Sequence, residues 1–466
     1  MAACPLPNLL DSGRSLILSA VITSAEQGPT SQSVSSRFSR HVAWTFGTRI
    51  LMIANSVVAG IIVARWLGVE GFGKLAVINV SVTTLVQLGS LGLPSANTYF
   101  IAKDSSHLRK AALNSLLFAL IVGSVLAAIL AVLSQVRPAW FGFVSPDLFR
   151  VAAISIPFQL LTLIGLNIFL AMGNVREFNL LDLIGQSFVL INAFVALIVL
   201  QSALGTLVTL NSVTSLLLGL VIVVWLRASA NKHSDANDTW RGDFTLLGQM
   251  MKYGIKSHLS ILAGTLIFRA DLLVVNHFRG AAEAGVYGVA SQMATMLMLL
   301  PAVIATLLFP RVTAEQDETG KSTSLVARHT AFIMLLCCLA AGPLSLLLPV
   351  FYGSAFSDSS MQLMILLPGV YLVGLQSVLV QHFNAMGLPK TVPLFWIVTL
   401  FINIVLVFVL VPRFGARGAA TASTISYSLI SVLVTSYFLW STRRSLAEVF
   451  VVRWSELRTM LNFGRA

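Results

Sequence analysis

The chain has 466 residues, 56% of them hydrophobic and only 10% charged, with a formal net charge of +12. So little charge over that length excludes an ordinary soluble fold, and apolar runs without alternation exclude a transmembrane β-barrel. The basic surplus gathers on one set of loops, so it reads as membrane orientation and not as a nucleic-acid surface.

Residues 1–42 are polar and rich in Ser, Gly and Pro, and read as a disordered cytoplasmic tail. Their one apolar stretch, Leu16 to Val21, is short for a signal-peptide core. Beyond them lie about twelve apolar runs, each near the ~20 residues that a helix needs to cross the hydrocarbon. The predicted spans are 45–65, 75–101, 111–133, 151–172, 180–200, 204–225, 255–275, 286–309, 331–351, 363–386, 392–411 and 419–440. Residues 43–226 form a first six-helix lobe, the polar stretch 227–250 a cytoplasmic linker, and 251–440 a second lobe. Residues 441–466 follow as a basic amphipathic tail, in which Leu446, Phe450, Trp454, Leu457 and Leu461 recur at helical spacing.

The two lobes read as copies of one unit. Ala171-Met172-Gly173 with Arg176 recurs as Ala385-Met386-Gly387 with Lys390, at an offset of 214. Pro157 matches Pro368, Ile191-Asn192 matches Ile402-Asn403, and Gly68 and Gly73 match Gly280 and Gly285, at offsets of 211 or 212. Agreement in order and spacing across half the chain argues for duplication. Six spans per copy is an even number, so the repeats are parallel and their pseudo-two-fold lies along the membrane normal.

If the N-terminus is inside, the inner loops and tails hold most of the Lys and Arg, among them Arg40, Lys103, Arg109, Lys110, Arg176, Arg227, Arg241 and Lys390. The outer loops hold Arg65, Arg137, Arg150, Arg279, Arg413 and Arg417. The positive-inside rule then puts both termini in the cytoplasm. The three cysteines and seven histidines form no disulfide framework or metal spacing. Gly68 to Lys74 fits the first seven positions of a phosphate-binding loop, but Leu75 stands where a Mg²⁺-binding hydroxyl belongs, and the segment follows a helix instead of a strand. No cofactor is expected.

Charges within the spans carry more information, because a charge at the bilayer centre costs ~2.5–3.5 kcal/mol or more. Lys74 and Lys256 lie close enough to span ends to snorkel. Arg49 is near the inner end of span one, and Arg269 and Asp271 fall within span seven, its repeat partner. Arg269 is too deep to snorkel, and Asp271 at i+2 is on another helix face. Arg269 therefore needs another partner, a wet cavity or an anionic ligand. Arg49, Arg269, Asp271 and Asn55 are the candidate substrate-binding residues. Other embedded amides, Gln87, Asn192 and Asn403 among them, read as helix–helix hydrogen bonders or as contacts for sugar hydroxyls. Pro157 and Pro368, at matching places in spans four and ten, are candidate hinges.

Ala64-Arg65-Trp66-Leu67-Gly68 followed by Glu70 and Gly73, and Arg269-Ala-Asp271 followed by Gly280 and Gly285-Val-Tyr287, resemble polysaccharide-transporter flippases. So does Leu410-Val-Pro412-Arg-Phe-Gly415-Ala-Arg-Gly418-Ala-Ala420, and the resemblance covers about residues 40–440. It implies an all-α polytopic protein, a V-shaped bundle of two parallel six-helix repeats, with spans one, two, seven and eight lining a central cavity. Peptidoglycan-precursor flippases of that superfamily carry two further C-terminal spans, which counts against that branch. The activity implied is translocation of an undecaprenyl-pyrophosphate-linked oligosaccharide across the bacterial cytoplasmic membrane for surface polysaccharide. The expected partners are that lipid-linked oligosaccharide, membrane lipids, a proton or sodium ion as driver, and a polysaccharide polymerase. The alternatives are a multidrug/cation antiporter of the same superfamily, whose cavity should be acidic, and a polytopic glycosyltransferase or polymerase, which needs a sizeable outer loop with acids or a metal. No nucleic-acid partner is expected.

Overall fold

The computed structural model describes residues 31–142, 144–233, 240–315, 317, 319–387 and 389–452. The chain divides into two compact units, Met1–Ile50 and Leu51–Ala466. In the first, the described backbone is helical from Ser31, inside the segment expected to be disordered. All that follows concerns the second unit unless stated.

The helices are α1 Ser31–Gly89, α2 Leu93–Lys103, α3 Leu108–Val136, α4 Pro146–Ala153, α5 Ser155–Ala171, α6 Val175–Ala193 and α7 Leu204–His233, then α8 Phe244–Arg279, α9 Ala281–Leu297, α10 Leu299–Glu315, α11 Lys321–Ser345, α12 Leu348–Tyr352, α13 Asp358–Ala385, α14 Thr391–Thr442 and α15 Leu446–Phe450. Ten helical stretches among the described residues are long and apolar enough to cross a membrane. Two of them, Gly47–Gly89 of 43 residues and Thr391–Thr442 of 52 residues, are each long enough for two crossings. Both contain one residue with non-helical backbone, Gly68 and Gly415. Breaking each there brings the number of crossings to the expected twelve. Large apolar side chains such as Ile121, Val224, Phe401 and Trp440 lie exposed around the bundle. A surface of that kind belongs in lipid. The expected amphipathic tail is represented by α15; Trp454, Leu457 and Leu461 lie outside the described residues.

The duplication is visible in the backbone. Gly68 has φ 66° and ψ −173°, and Gly280 has φ 87° and ψ 173°. These angles reverse the chain between spans one and two, and again between seven and eight; a side chain with Cβ is strained there. Gly173 and Gly387, of the repeated Ala-Met-Gly, also share positive φ, 77° and 95°. Within each copy one helix is central. The crossings Pro146–Ala171 and Ser354–Ala385 are each 61% buried, against 39% or less for the others. Helix α5 packs on α2, α3 and α7; α13 packs on α10, α11 and α14.

These central helices carry the matched prolines, with different results. The helix breaks at Ile154, three residues before Pro157, and α5 starts beyond it. Proline removes an N–H and crowds the carbonyl four residues back, which accounts for the break. Pro157 is buried, and Gly123 of α3 lies so close that a Cβ there would meet the proline ring carbon. Helix α13 runs unbroken through Pro368, which is exposed.

Matched asparagines tie neighbouring crossings. Asn192 Nδ2 donates to Asn211 Oδ1 and Thr214 Oγ1, both at 2.9 Å, and Asn403 Nδ2 donates to Ser426 Oγ at 3.0 Å. In lipid each such bond contributes about 0.6 kcal/mol. The phosphate-loop look-alike is accounted for locally. Gly68 breaks the helix, Lys74 Nζ pairs with Glu70 at 2.6 Å, and Gly73 packs against the second copy.

Candidate functional site

A cavity of about 620 Å³ lies between α1 beyond its break, α8, α9, α13 and the start of α14. Its polar lining comes from Thr83 and Gln87 of α1, Ser260, Thr265 and Arg269 of α8, Thr295 of α9 and Asn384 of α13. Phe268 and Trp396 form an aromatic wall, their ring centroids 6.4 Å apart, with Tyr427 behind Phe268 at 4.9 Å.

Arg269 is ten residues before Arg279 at the end of α8. At the helical rise that is about 15 Å, or the middle of the hydrocarbon. Its side chain is exposed to the cavity and makes no hydrogen bond or ion pair among the described residues. A guanidinium held at that depth in a mainly apolar chamber attracts an anion, and its planar fork matches phosphate or carboxylate oxygens.

The other candidates go elsewhere. Asp271, 1% exposed, faces away from the cavity. One carboxylate oxygen accepts from Tyr287 Oη and from Ser423 Oγ at 2.7 Å, and the other from the Leu272 amide at 2.8 Å. It thereby joins α8, α9 and the second half of α14. Asn55 is half-buried and donates to Ser187 Oγ at 3.0 Å, tying α1 to α6. Arg49, in the first unit, is half-buried. Of the four, Arg269 lines the cavity.

Sequence reasoning did not single out Asn384 or Trp396. Asn384 opens the second copy of the repeated Asn/Leu-Ala-Met-Gly stretch, and that position was the available signal. For Trp396 no local signal exists, since it reaches the cavity from another helix.

The two copies meet at both ends of the cavity. At the end bearing Arg65 and Arg279, outer by the charge bias, Gly73 approaches the Ala281 carbonyl and Gly285 approaches the Val69 carbonyl. Phe72 packs edge-on against Tyr352 and Phe356. At the inner end Gly92 and Gly254 are in mutual backbone contact, and Tyr99 stacks on Tyr253 with centroids 4.4 Å apart. There too Asn114 Nδ2 donates to the Asp243 carbonyl at 2.6 Å, and Asn114 Oδ1 accepts from the Asp243 amide at 3.0 Å. The linker's start of α8 is thus pinned to span three. The Tyr253 phenol, outside the hydrocarbon, titrates above its ordinary value because it is partly buried and faces Tyr99.

Two like helical halves around a mainly apolar cavity with a deep guanidinium define a multi-pass membrane protein with a transporter's fold. The chain belongs to the polysaccharide biosynthesis protein family, whose profile it matches over residues 39–316. It is similar to the "Probable low-salt glycan biosynthesis flippase Agl15" of Haloferax volcanii, 23% identical over 194 residues, or 40% of this chain and 41% of that one. The similarity thus spans less than half the length of that relative. Among solved structures it resembles the lipid II flippase MurJ in an inward closed conformation, with TM-score 0.70 and 17% identity over 87% of this chain and 88% of that one. It also resembles an inward-facing multidrug resistance MATE transporter of the MOP superfamily, with TM-score 0.66 and 16% identity over 86% and 98% of the two chains. Both neighbours are V-shaped two-repeat helical bundles.

Proposed function

We propose that the protein is a flippase that carries an undecaprenyl-pyrophosphate-linked oligosaccharide across the bacterial cytoplasmic membrane for surface polysaccharide assembly. The observation that carries this reading is Arg269, a mid-membrane guanidinium facing a cavity and left without a hydrogen bond or ion pair among the described residues. A diphosphate supplies the missing anion. The amides of Gln87 and Asn384 and the Trp396 wall suit sugar hydroxyls and a sugar's apolar face. The lipid tail stays in the bilayer while the head group passes through the cavity. Closure at alternate ends, by rocking of the two copies, moves the head group from the inner to the outer side. Pro157 and Pro368 would serve as bending points, and Arg49 as a second attraction for the head group near the inner side. A proton or sodium gradient supplies the drive, and a polysaccharide polymerase takes the product. No covalent step is required of the protein itself.

The antiporter reading draws on the multidrug neighbour. Against it, the carboxylate expected to attract a cation, Asp271, is turned away from the cavity and engaged by two hydroxyls. The test is lipid-linked oligosaccharide at the inner leaflet of cells producing each variant at equal level. Arg269→Ala is expected to cut export by roughly 10–100-fold, the worth of a lost charge-assisted bond of ~1.5–3 kcal/mol, and Arg269→Lys to restore part of it. Export at the wild-type rate by Arg269→Ala removes the cationic-cavity mechanism.

A further inference from the structure

The outer contacts between the copies obey the repeat residue by residue. Gly73 faces the Ala281 carbonyl and Gly285 the Val69 carbonyl, and 73 and 285, like 69 and 281, differ by 212. The axis of the duplication therefore passes between the two glycines. On one side of it, Arg65 of the first copy donates from Nε to the Phe351 carbonyl at 2.7 Å and from Nη2 to the Val350 carbonyl. On the other side, His277 of the second copy has Nδ1 at 2.8 Å from the Ala139 carbonyl. The same offset of 212 relates Arg65 to His277 and Ala139 to Phe351.

The acceptors are alike in kind. Phe351 is in the last turn of α12, and Ala139 is in the short 3-10 turn Pro138–Phe141. Each turn follows a crossing and ends at a positive-φ glycine, Gly353 or Gly142. The carbonyls at the end of a helical turn carry partial negative charge, so a cationic or N–H-bearing side chain from outside suits them; the Ala139 carbonyl also accepts from the Gly142 amide at 3.3 Å and offers His277 its second lone pair. Both donors are exposed. Their bonds can be exchanged for bonds to water, so they can open and re-form.

We infer that Arg65 and His277 are the two straps of an outer latch, one from each copy, that holds the mouth of the cavity shut by gripping the turn after span nine and the turn after span three. Arg65 grips two carbonyls and His277 one, so Arg65 is the stronger strap. The latch rests on the alternating-access reading above, but its test needs no substrate, so the two stand or fall separately.

Thr83→Cys, on the cavity wall, is placed in a background of Cys4→Ala, Cys337→Ala and Cys338→Ala. Right-side-out vesicles are treated with a membrane-impermeant maleimide. With both straps intact, labelling from outside is slow. Arg65→Ala speeds it, His277→Ala speeds it less, and the double variant is fastest, by roughly tenfold, as three lost bonds shift the closed–open population. Arg65→Lys, which keeps the charge and one bond, retains most of the protection. If the double variant does not reach the membrane, the single variants decide. Labelling no faster in the strap variants than with both straps intact overturns the latch, whatever the export assay returns.

Discussion

Eleven residues before its outer break, the first copy has Val57, and nine before it Ala59; at the same helical positions of the second copy stand Arg269 and Asp271. The breaks themselves, Gly68 and Gly280, have nearly the same backbone angles. Backbone geometry and the contact across the axis survive in both halves because only glycine meets them: no other residue tolerates those angles or that approach to a facing carbonyl. Charge need not be shared, since one cavity needs one anion site, and each embedded charge is costly to insert. The two copies thus form one scaffold, while the second supplies the deep charges, Arg269 for the cavity and Asp271 for packing.

Three perturbations sharpen that contrast. The largest effect belongs to the axis. Gly73→Ala and Gly285→Ala each drive a methyl into a carbonyl of the opposite copy. Each should lower stability by about 3 kcal/mol, the upper end of the usual cost of overpacking because the methyl meets backbone, and the two losses should match. Melting temperatures in detergent measure this, and a large loss from one with none from the other would break the symmetry. Next comes Asp271. Asp271→Ala leaves Tyr287 and Ser423 hydroxyls buried without their acceptor and should cost roughly 1–3 kcal/mol, with Asp271→Asn costing less. Its counterpart Ala59→Ser should be close to neutral, and the same melting experiment reads all three. The smallest effect is expected at the matched amides. Asn192→Ala loses two bonds to the next crossing and Asn403→Ala one, so at about 0.6 kcal/mol per bond the first should cost about twice the second. A much larger loss at either would mean a role beyond joining two helices.

How much of this could be read beforehand depends on whether the cause is local. The twelve crossings, the glycine breaks and the kink before Pro157 follow from single residues acting on their own backbone, so the chain displays them. Arg269 was readable for a similar reason: its depth in one helix forbids snorkelling. Asp271 was expected at the cavity beside it, although i+2 spacing turns it to another face, and there Tyr287 and Ser423 await it from two other helices. Asn55 was expected at the cavity and is bonded to Ser187, 132 residues away. Trp396 reaches the cavity only through packing between helices, which no local pattern encodes, whereas Gln87 stood out as an embedded amide. The unbroken helix through Pro368 shows the same limit, since its match at Pro157 predicts a kink in both.

The proposed function requires this cavity to hold an anion by Arg269. Binding to the purified protein tests it most directly, with a polyprenyl-pyrophosphate oligosaccharide and a lipophilic cation as the two probes. The account predicts saturable binding of the diphosphate, weakened roughly tenfold or more by Arg269→Ala, as the loss of a charge-assisted bond implies, and no saturable binding of the cation. Saturable binding of the cation that Arg269→Ala strengthens, with none of the diphosphate, would contradict it and favour the antiporter.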